Sequence, residues 1–329
     1  MMSTDHSPSL SSGHQTGNVA FVCSYFLLFV IALLFNSVSA WVSLHLRSTS
    51  TFIVYLKNLV AADLLVTLCL PLIAVSKLPG ASVEVVSFTC RYTFVIYFSC
   101  LYITLALMGL ISLDRYFKVV RPYGRLLGQS VMFSLVLSTS VWIVIFGSTA
   151  VPTLILASQV PFNRTEDVCA FVFSPGGQAL HRFVVLFTNI LFWLISLVIG
   201  FCYICITLKV LQSFRNSASN NSQGSRKTKL RVFLILLEFV LCFVPLHLLR
   251  IPNTLIKLFH SDYGVANEPN LLSDLFLWMS TANVCLDPLL YISLCKEYRN
   301  KLVDMMEAAG ICVGLCSSEK QDDSQDTSQ

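Results

Sequence analysis

Three carboxylic acids stand in otherwise apolar runs: Asp63 in LVAADLL, Glu238 in LILLEFVLCFVP and Asp287 in VCLDPLLY. An ionisable side chain at the centre of a bilayer carries an insertion penalty on the order of 2.5–3.5 kcal/mol, so such groups turn toward a protein interior and find partners there. Asp63 and Asp287 could form a structural pair that shares a proton. Glu238 could meet Asp63, Asp287 or Tyr291 in the same interior, or stay neutral. None of the three has a histidine at ligand spacing, and no nucleophile–base set converges on them. This argues against an intramembrane enzyme and leaves no catalytic residue to name. A second constellation is His247 and Arg250, three apart and hence on one helical face. Arg250 lies shortly after Pro245, where a guanidinium suits two-pronged binding of phosphate or carboxylate. Its duller alternatives are a pair with Asp274 or a side chain snorkelling to water. A third is Asp114-Arg115-Tyr116, which follows a stretch without charge from Arg91 onward. Asp114 holding Arg115 would be an ion pair of the bistable kind that switches use. Out of context it is equally a snorkelling interfacial pair.

Long apolar segments must carry these groups. Only 12% of the 329 residues are charged, about half the share of a soluble domain, which argues for a polytopic membrane protein. Seven stretches, at about 19–44, 52–76, 92–113, 129–158, 183–208, 232–259 and 271–294, are each long enough to cross a bilayer as a helix. From Cys90 to Arg115 a helix would span roughly 37 Å at about 1.5 Å per residue, enough to reach both polar boundaries. Sixteen of the 22 Lys and Arg residues fall on one side of this arrangement and six on the other. The basic side is cytoplasmic, so the N-terminus lies outside and the C-terminus inside. The polar start lacks the basic opening and cleavage site of a signal peptide, so the first span would direct insertion. The halves show no internal repeat and no broken helix pairs, against a transporter. The expected fold is an all-α membrane protein: a seven-transmembrane helix bundle over 19–295, with an extracellular N-terminal tail at 1–18. A short amphipathic surface helix at 296–309 and a cytoplasmic tail at 310–329 complete it. Residues 213–228, polar and basic, have the composition of a mobile inner loop. Asn163-Arg164-Thr165 is a glycosylation sequon on the outer face, and Cys312 and Cys316 stand at palmitoylation-like positions.

In this setting the chain resembles the rhodopsin-like G-protein-coupled receptors. The motifs are Asn36 in the first span, Asp63 in the second, Asp114-Arg115-Tyr116 closing the third and Trp142 in the fourth. Cys242-Phe243-Val244-Pro245 in the sixth and Asp287-Pro288-Leu289-Leu290-Tyr291 in the seventh continue the series; each is weak alone, and their order and spacing are specific. The resemblance implies a disulfide between Cys90 and Cys169, a sodium pocket near Asp63 and Asp287 as the one candidate for an allosteric ion, and an inward swing of Tyr291 on activation. Asp114, Arg115, Tyr116, Asp63, Phe243, Pro245, Asp287, Pro288 and Tyr291 are the implied switch. Glu238 departs from the family pattern, which has an apolar residue there, and is expected to alter basal activity.

Phe243 to Pro252, with Leu277-Trp278 and Asn283 to Pro288, is similar to the metabotropic purinoceptor branch that answers ADP and UDP-sugars. That likeness adds His181 and Tyr102 to His247 and Arg250 as ligand-binding candidates. Tyr97 and Phe98 form an aromatic wall whose order is reversed against the branch. Ser273 stands where the branch has a lysine and Asn253 where it has a tyrosine, so a lysophospholipid with a single phosphate rivals a nucleotide. The expectation is a plasma-membrane receptor, not an enzyme, for an extracellular phosphate-bearing small molecule. Its partners would be a heterotrimeric G protein, arrestin, a receptor kinase and membrane lipids, with no nucleic acid. A constitutively active receptor without a natural agonist is the other alternative within the fold.

Overall fold

The computed structural model describes residues 8–48, 50–120, 130–159, 175–216, 222–259, 271–308 and 310. Every regular element among them is helical: α1 (Pro8–His45), α2 (Thr51–Ser76), α3 (Val83–Val120), α4 (Val131–Gln159), α5 (Pro175–Asn216), α6 (Ser222–Phe259), α7 (Leu271–Leu294) and α8 (Lys296–Ala308). The first seven each contain a stretch long and apolar enough to cross a membrane, as the sequence requires.

Four helices run beyond their expected limits: α1, which begins at Pro8, and α3, α5 and α6. Ser82 caps α3, its hydroxyl accepting from the Val85 N–H at 3.4 Å, so the helix is already formed before Cys90. A wider π-type turn at Thr89–Thr93 then joins the cap to the long Phe94–Val120 rod. At the other end of the bundle, α5 continues to Asn216 and α6 begins at Ser222, so most of the loop expected over 213–228 is helical. A helix already nucleated in the membrane adds one hydrogen bond per further residue, and this outweighs the polar composition. Only 217–221 of that loop lie outside the described residues.

Prolines reshape the spans where neighbours can answer them. Pro288 removes the N–H that would bond the carbonyl of Val284. That carbonyl instead accepts from Asn36 Nδ2 of α1 at 2.8 Å, so the break in α7 becomes a tie between the first and last spans. In α4 a second π-type turn, Phe146–Ala150, precedes Pro152 in the same way.

Burial ranks the helices. Two thirds (67%) of the apolar window of α3 is buried, against 17% for α4, so α3 is the axis of the bundle and α4 lies at its lipid edge. Trp142 fastens α4 to α2, its indole donating to Asn58 Oδ1 at 3.0 Å. Leu44, Met132, Ile143 and Leu197 point outward, which in water would be an aggregation hazard and in lipid is the required surface. α8 folds back on the bundle: Tyr298 is buried, and its hydroxyl donates to Ser39 Oγ of α1 at 3.0 Å. Burial pushes the Tyr298 phenol above its ordinary value.

Candidate functional site

The α3, α4, α5 and α6 helices surround a cavity of about 240 Å³ near their outer ends. Phe94, Phe98 and Tyr102 enter it from α3 at i, i+4 and i+8, which puts them on one face. Thr149 and Thr153 enter from α4, His181 and Val184 from α5 and Arg250 from α6. The Arg250 guanidinium lies over the Phe98 ring, 4.6 Å from its centroid, a cation–π arrangement.

Behind this surface runs a chain of hydrogen bonds. A carbonyl can only accept, so the 2.8 Å contact of His247 Nδ1 with the Phe243 carbonyl places a proton on Nδ1. Nε2 then accepts from the Tyr102 hydroxyl at 3.0 Å. Arg250 Nη1 donates to the Tyr102 oxygen at 2.6 Å. The order is Arg250 to Tyr102 to His247 to the α6 backbone. The His247 ring stacks on Phe192 of α5 with centroids 3.6 Å apart, and that ring stacks in turn on Phe239 at 5.9 Å.

Of the six residues expected to bind the ligand, Arg250, His181, Tyr102 and Phe98 line this cavity. His247 and Tyr97 do not. His247 is fully buried behind Tyr102, held by the bonds just described. Tyr97 is also fully buried, and its hydroxyl bonds Thr281 Oγ1 of α7 at 2.8 Å. The physical reason is adjacency: neighbouring helical residues point about 100° apart, so Phe98 and Tyr97 cannot share a face. The sequence did not single out Phe94, Thr149 or Thr153. Two threonines four apart in an apolar run were the available signal for the last pair. Arg250 does not take the alternative partner Asp274, whose Oδ1 instead accepts from Lys77 Nζ at 2.6 Å. Cys90 borders the cavity and is disulfide-bonded; Cys169, Asn163, Cys312 and Cys316 lie outside the described residues.

Below the cavity the buried acids meet. Tyr291 donates to Asp63 Oδ2 at 2.7 Å, and Asn283 Nδ2 to Asp287 Oδ2 at 3.2 Å. Glu238 does not join them as a hydrogen-bond partner. It is buried with neither oxygen bonded, although Asp63, Asp287 and Tyr291 are its electrostatic neighbours. It stands in the field of those groups but out of bonding reach. Among the described residues, Asp63 Oδ1, Asn36 Oδ1, Thr104 Oγ1 and Asn283 Oδ1 are buried oxygens with no hydrogen-bond partner. A carboxylate, amide carbonyls and a hydroxyl are the donors a hard cation takes, so this set fits the sodium expected beside Asp63. A void of about 20 Å³ between Met108, Ile235, Asp287 and Tyr291 lies alongside, about the size of one water.

At the inner end Asp114 is not held by Arg115. Its Oδ1 accepts from Thr51 Oγ1 of α2 and its Oδ2 from Lys118 Nζ at 2.8 Å. Successive helical residues do not face each other, whereas i and i+4 do, which gives Lys118 the place expected for Arg115. The Arg115 guanidinium lies over Phe52, 4.5 Å from the ring centroid. Tyr116 packs on Phe201 of α5 at 5.7 Å.

Residues 35–291 match the family model described as 7 transmembrane receptor (rhodopsin family). The chain belongs to that family. Among its relatives, human purinoceptor 13 is 32% identical over 290 residues, covering 86% of this chain and 80% of the relative. Bovine purinoceptor 14 is 34% identical over 280 residues, 84% of this chain and 82% of the relative. Mouse G-protein coupled receptor 87 is 34% identical over 279 residues, 84% and 77% of the respective chains. This rhodopsin-family member is therefore a multi-pass membrane receptor of the G-protein-coupled class, with its described cavity at one end of the bundle and Asp114-Arg115-Tyr116 at the other.

Proposed function

We propose that this receptor binds an extracellular phosphate-bearing small molecule, a nucleotide or nucleotide sugar, with the anion seated on Arg250. The observation that carries the reading is the Arg250–Tyr102–His247 chain, whose outer end opens on the cavity and whose inner end is the α6 backbone at Phe243. A phosphate that draws the Arg250 donors away loosens Tyr102 and then His247. The disturbance enters α6 just above the Phe192–Phe239 stack and the buried Glu238. Two of the relatives are named purinoceptors, which favours a nucleotide-like ligand.

A lysophospholipid is the second reading. It is favoured by the apolar wall of Phe94, Leu156, Val184 and Val185, which suits an acyl chain behind one phosphate. In either case the receptor sits in the plasma membrane with its N-terminus outside and its C-terminus in the cytoplasm, following the Lys and Arg bias. The inner ends around Arg115 and Lys118 engage a heterotrimeric G protein, and arrestin and a receptor kinase act on the same face and on the tail. A Cys90–Cys169 disulfide, glycan at Asn163, acylation at Cys312 and Cys316 and a sodium ion held by Asp63 belong to the same proposal. When bound, the ion would supply positive charge among the buried acids. Asn36, Thr104 and Asn283 would orient their free oxygens toward it.

The test is G-protein activation by a panel of nucleotides, UDP-sugars and lysophospholipids, on the natural chain and on Arg250→Ala. A nucleotide or UDP-sugar that activates the natural chain and loses potency on the variant supports the reading. Response to lysophospholipids alone moves the assignment to the second ligand class, and full potency on Arg250→Ala removes Arg250 as the anchor.

A further inference from the structure

The outer mouth of the bundle has two unlike halves. On the α3–α4–α5–α6 side lies the cavity with Arg250. On the α1–α2–α7 side, Tyr25, Tyr97 and Thr281 are fully buried, and the Tyr97–Thr281 bond closes the space between α3 and α7. Phe98, edge-on to Tyr97 at 5.1 Å, stands between the two. Above the closed half sits a charge pair. Lys77 caps the end of α2, its backbone N–H bonded to the carbonyls of Ala74 and Val75. Its ammonium meets Asp274, in the first turn of α7, at 2.6 Å. The side chains are 22% and 32% exposed, so the pair is partly shielded rather than free in solvent. Asp274 also gains from the N-terminal dipole of its helix, and Tyr25 is among its electrostatic neighbours.

An extended phosphate chain carries more charge than one guanidinium satisfies, and it needs further cations within reach. Lys77 is a cation at the mouth, and Asp274 occupies it. A polyphosphate would have to displace a carboxylate from the ammonium and then lie beside that carboxylate. Discrimination by repulsion of this kind rejects a competitor without improving the contacts of the preferred ligand.

Resting on the reading of the cavity as an anion site, we infer that Asp274 is a specificity-determining residue that withholds Lys77 from the ligand. It restricts the receptor to ligands with few negative charges and excludes nucleoside triphosphates. Asp274→Asn keeps the size of the side chain, removes the repulsion and leaves the ammonium facing a neutral amide instead of a carboxylate. A charge-assisted hydrogen bond then becomes available to a distal phosphate, worth about tenfold or more in affinity.

The experiment measures stabilisation of the purified receptor against heat by titrated UDP-glucose, ADP and ATP. It compares the natural chain, Asp274→Asn, Asp274→Ser and the double variant Asp274→Asn with Lys77→Met. Apparent affinity for ATP is expected to rise at least about tenfold in both single variants, with a smaller change for UDP-glucose, and to fall back in the double variant. An equal shift for all three probes, no shift in either single variant, or a gain that survives loss of Lys77 overturns the inference. If the natural chain answers none of the probes while Asp274→Asn gains ATP, the inference stands and the nucleotide reading of the natural chain falls. If the natural chain answers and the variants match it, the inference falls and that reading stands. Silence of every chain to every probe overturns both.

Discussion

Replacing Glu238 with leucine is expected to stabilise the receptor and lower its basal signalling. Glu238 sits in the middle of α6 with 5% of its surface exposed, and neither carboxyl oxygen has a protein partner. A buried polar group without a partner costs about 1–3 kcal/mol, and more when charged. Two such oxygens together cost on the order of 2–6 kcal/mol by the same rule. Leucine differs in shape, and repacking takes back up to about 1.5 kcal/mol. The net stabilisation is then about 0.5–6 kcal/mol. If outward movement of α6 gives the carboxyl access to water, most of that cost falls on the closed arrangement and Glu238 tilts the equilibrium toward the open one. At about 1.4 kcal/mol per factor of ten, its removal lowers basal activity by about tenfold or more. The assay pairs thermal unfolding of the ligand-free receptor with agonist-free guanine-nucleotide exchange on a G protein. Glu238→Gln keeps two polar atoms in place and is expected to gain little stability. A Glu238→Leu receptor that melts no higher than the natural chain, with basal and stimulated signalling both untouched, would overturn this reading of the buried carboxyl.

Three other contacts carry expectations of their own. Asn36→Leu leaves the Val284 carbonyl without its 2.8 Å donor, a loss of about 1–3 kcal/mol that thermal unfolding reads. A melting temperature unchanged from the natural chain would show that the α1–α7 tie is redundant. Lys118→Met strips the buried Asp114 carboxylate of its 2.8 Å cation and is expected to raise agonist-free exchange, since the carboxylate then keeps only its bond from Thr51 of α2. Exchange at or below the natural level would speak against that role. The docking of α8 is expected to weaken in acid. The Glu297 carboxyl is held below its ordinary value by its own backbone N–H and by the Cys295 thiol. Its contribution is therefore complete above the ordinary glutamate range and is lost as pH falls through the depressed value. Hydrogen exchange across 296–308 should accelerate there in the natural chain and lose that pH step in Glu297→Gln.

The spans could be read from the sequence because lipid leaves an apolar run of that length few alternatives, and the motifs fixed their order. What the sequence could not supply were the partners chosen across the bundle. Pro288 and Asn36 were each visible, but nothing in one announces that it leaves a carbonyl for the other. Asp114 and Arg115 looked like a pair because they are adjacent, which on a helix is the reason they are not one. Tyr97 and Phe98 failed as a common wall for the same cause. His247 was rightly placed on the face of Arg250, yet one layer deeper, because Phe192 of α5 offers its ring a stacking partner. The ends of α5 and α6 misled because composition reports solubility and not the helix already growing from the membrane. Glu238 stood out as an acid in an apolar run, and among the described residues it remains without a hydrogen-bond partner.

In the proposed function, ligand recognition rests on Arg250 meeting a phosphate in the outer cavity. The most direct measurement is the potency of an activating phosphate-bearing agonist and of its dephosphorylated analogue, each on the natural chain and on Arg250→Ala. The natural chain is expected to prefer the phosphate by roughly tenfold or more, as for a charge-assisted pair, and Arg250→Ala is expected to lose the distinction. An equal preference for the phosphate in both chains would mean that the anion is held elsewhere.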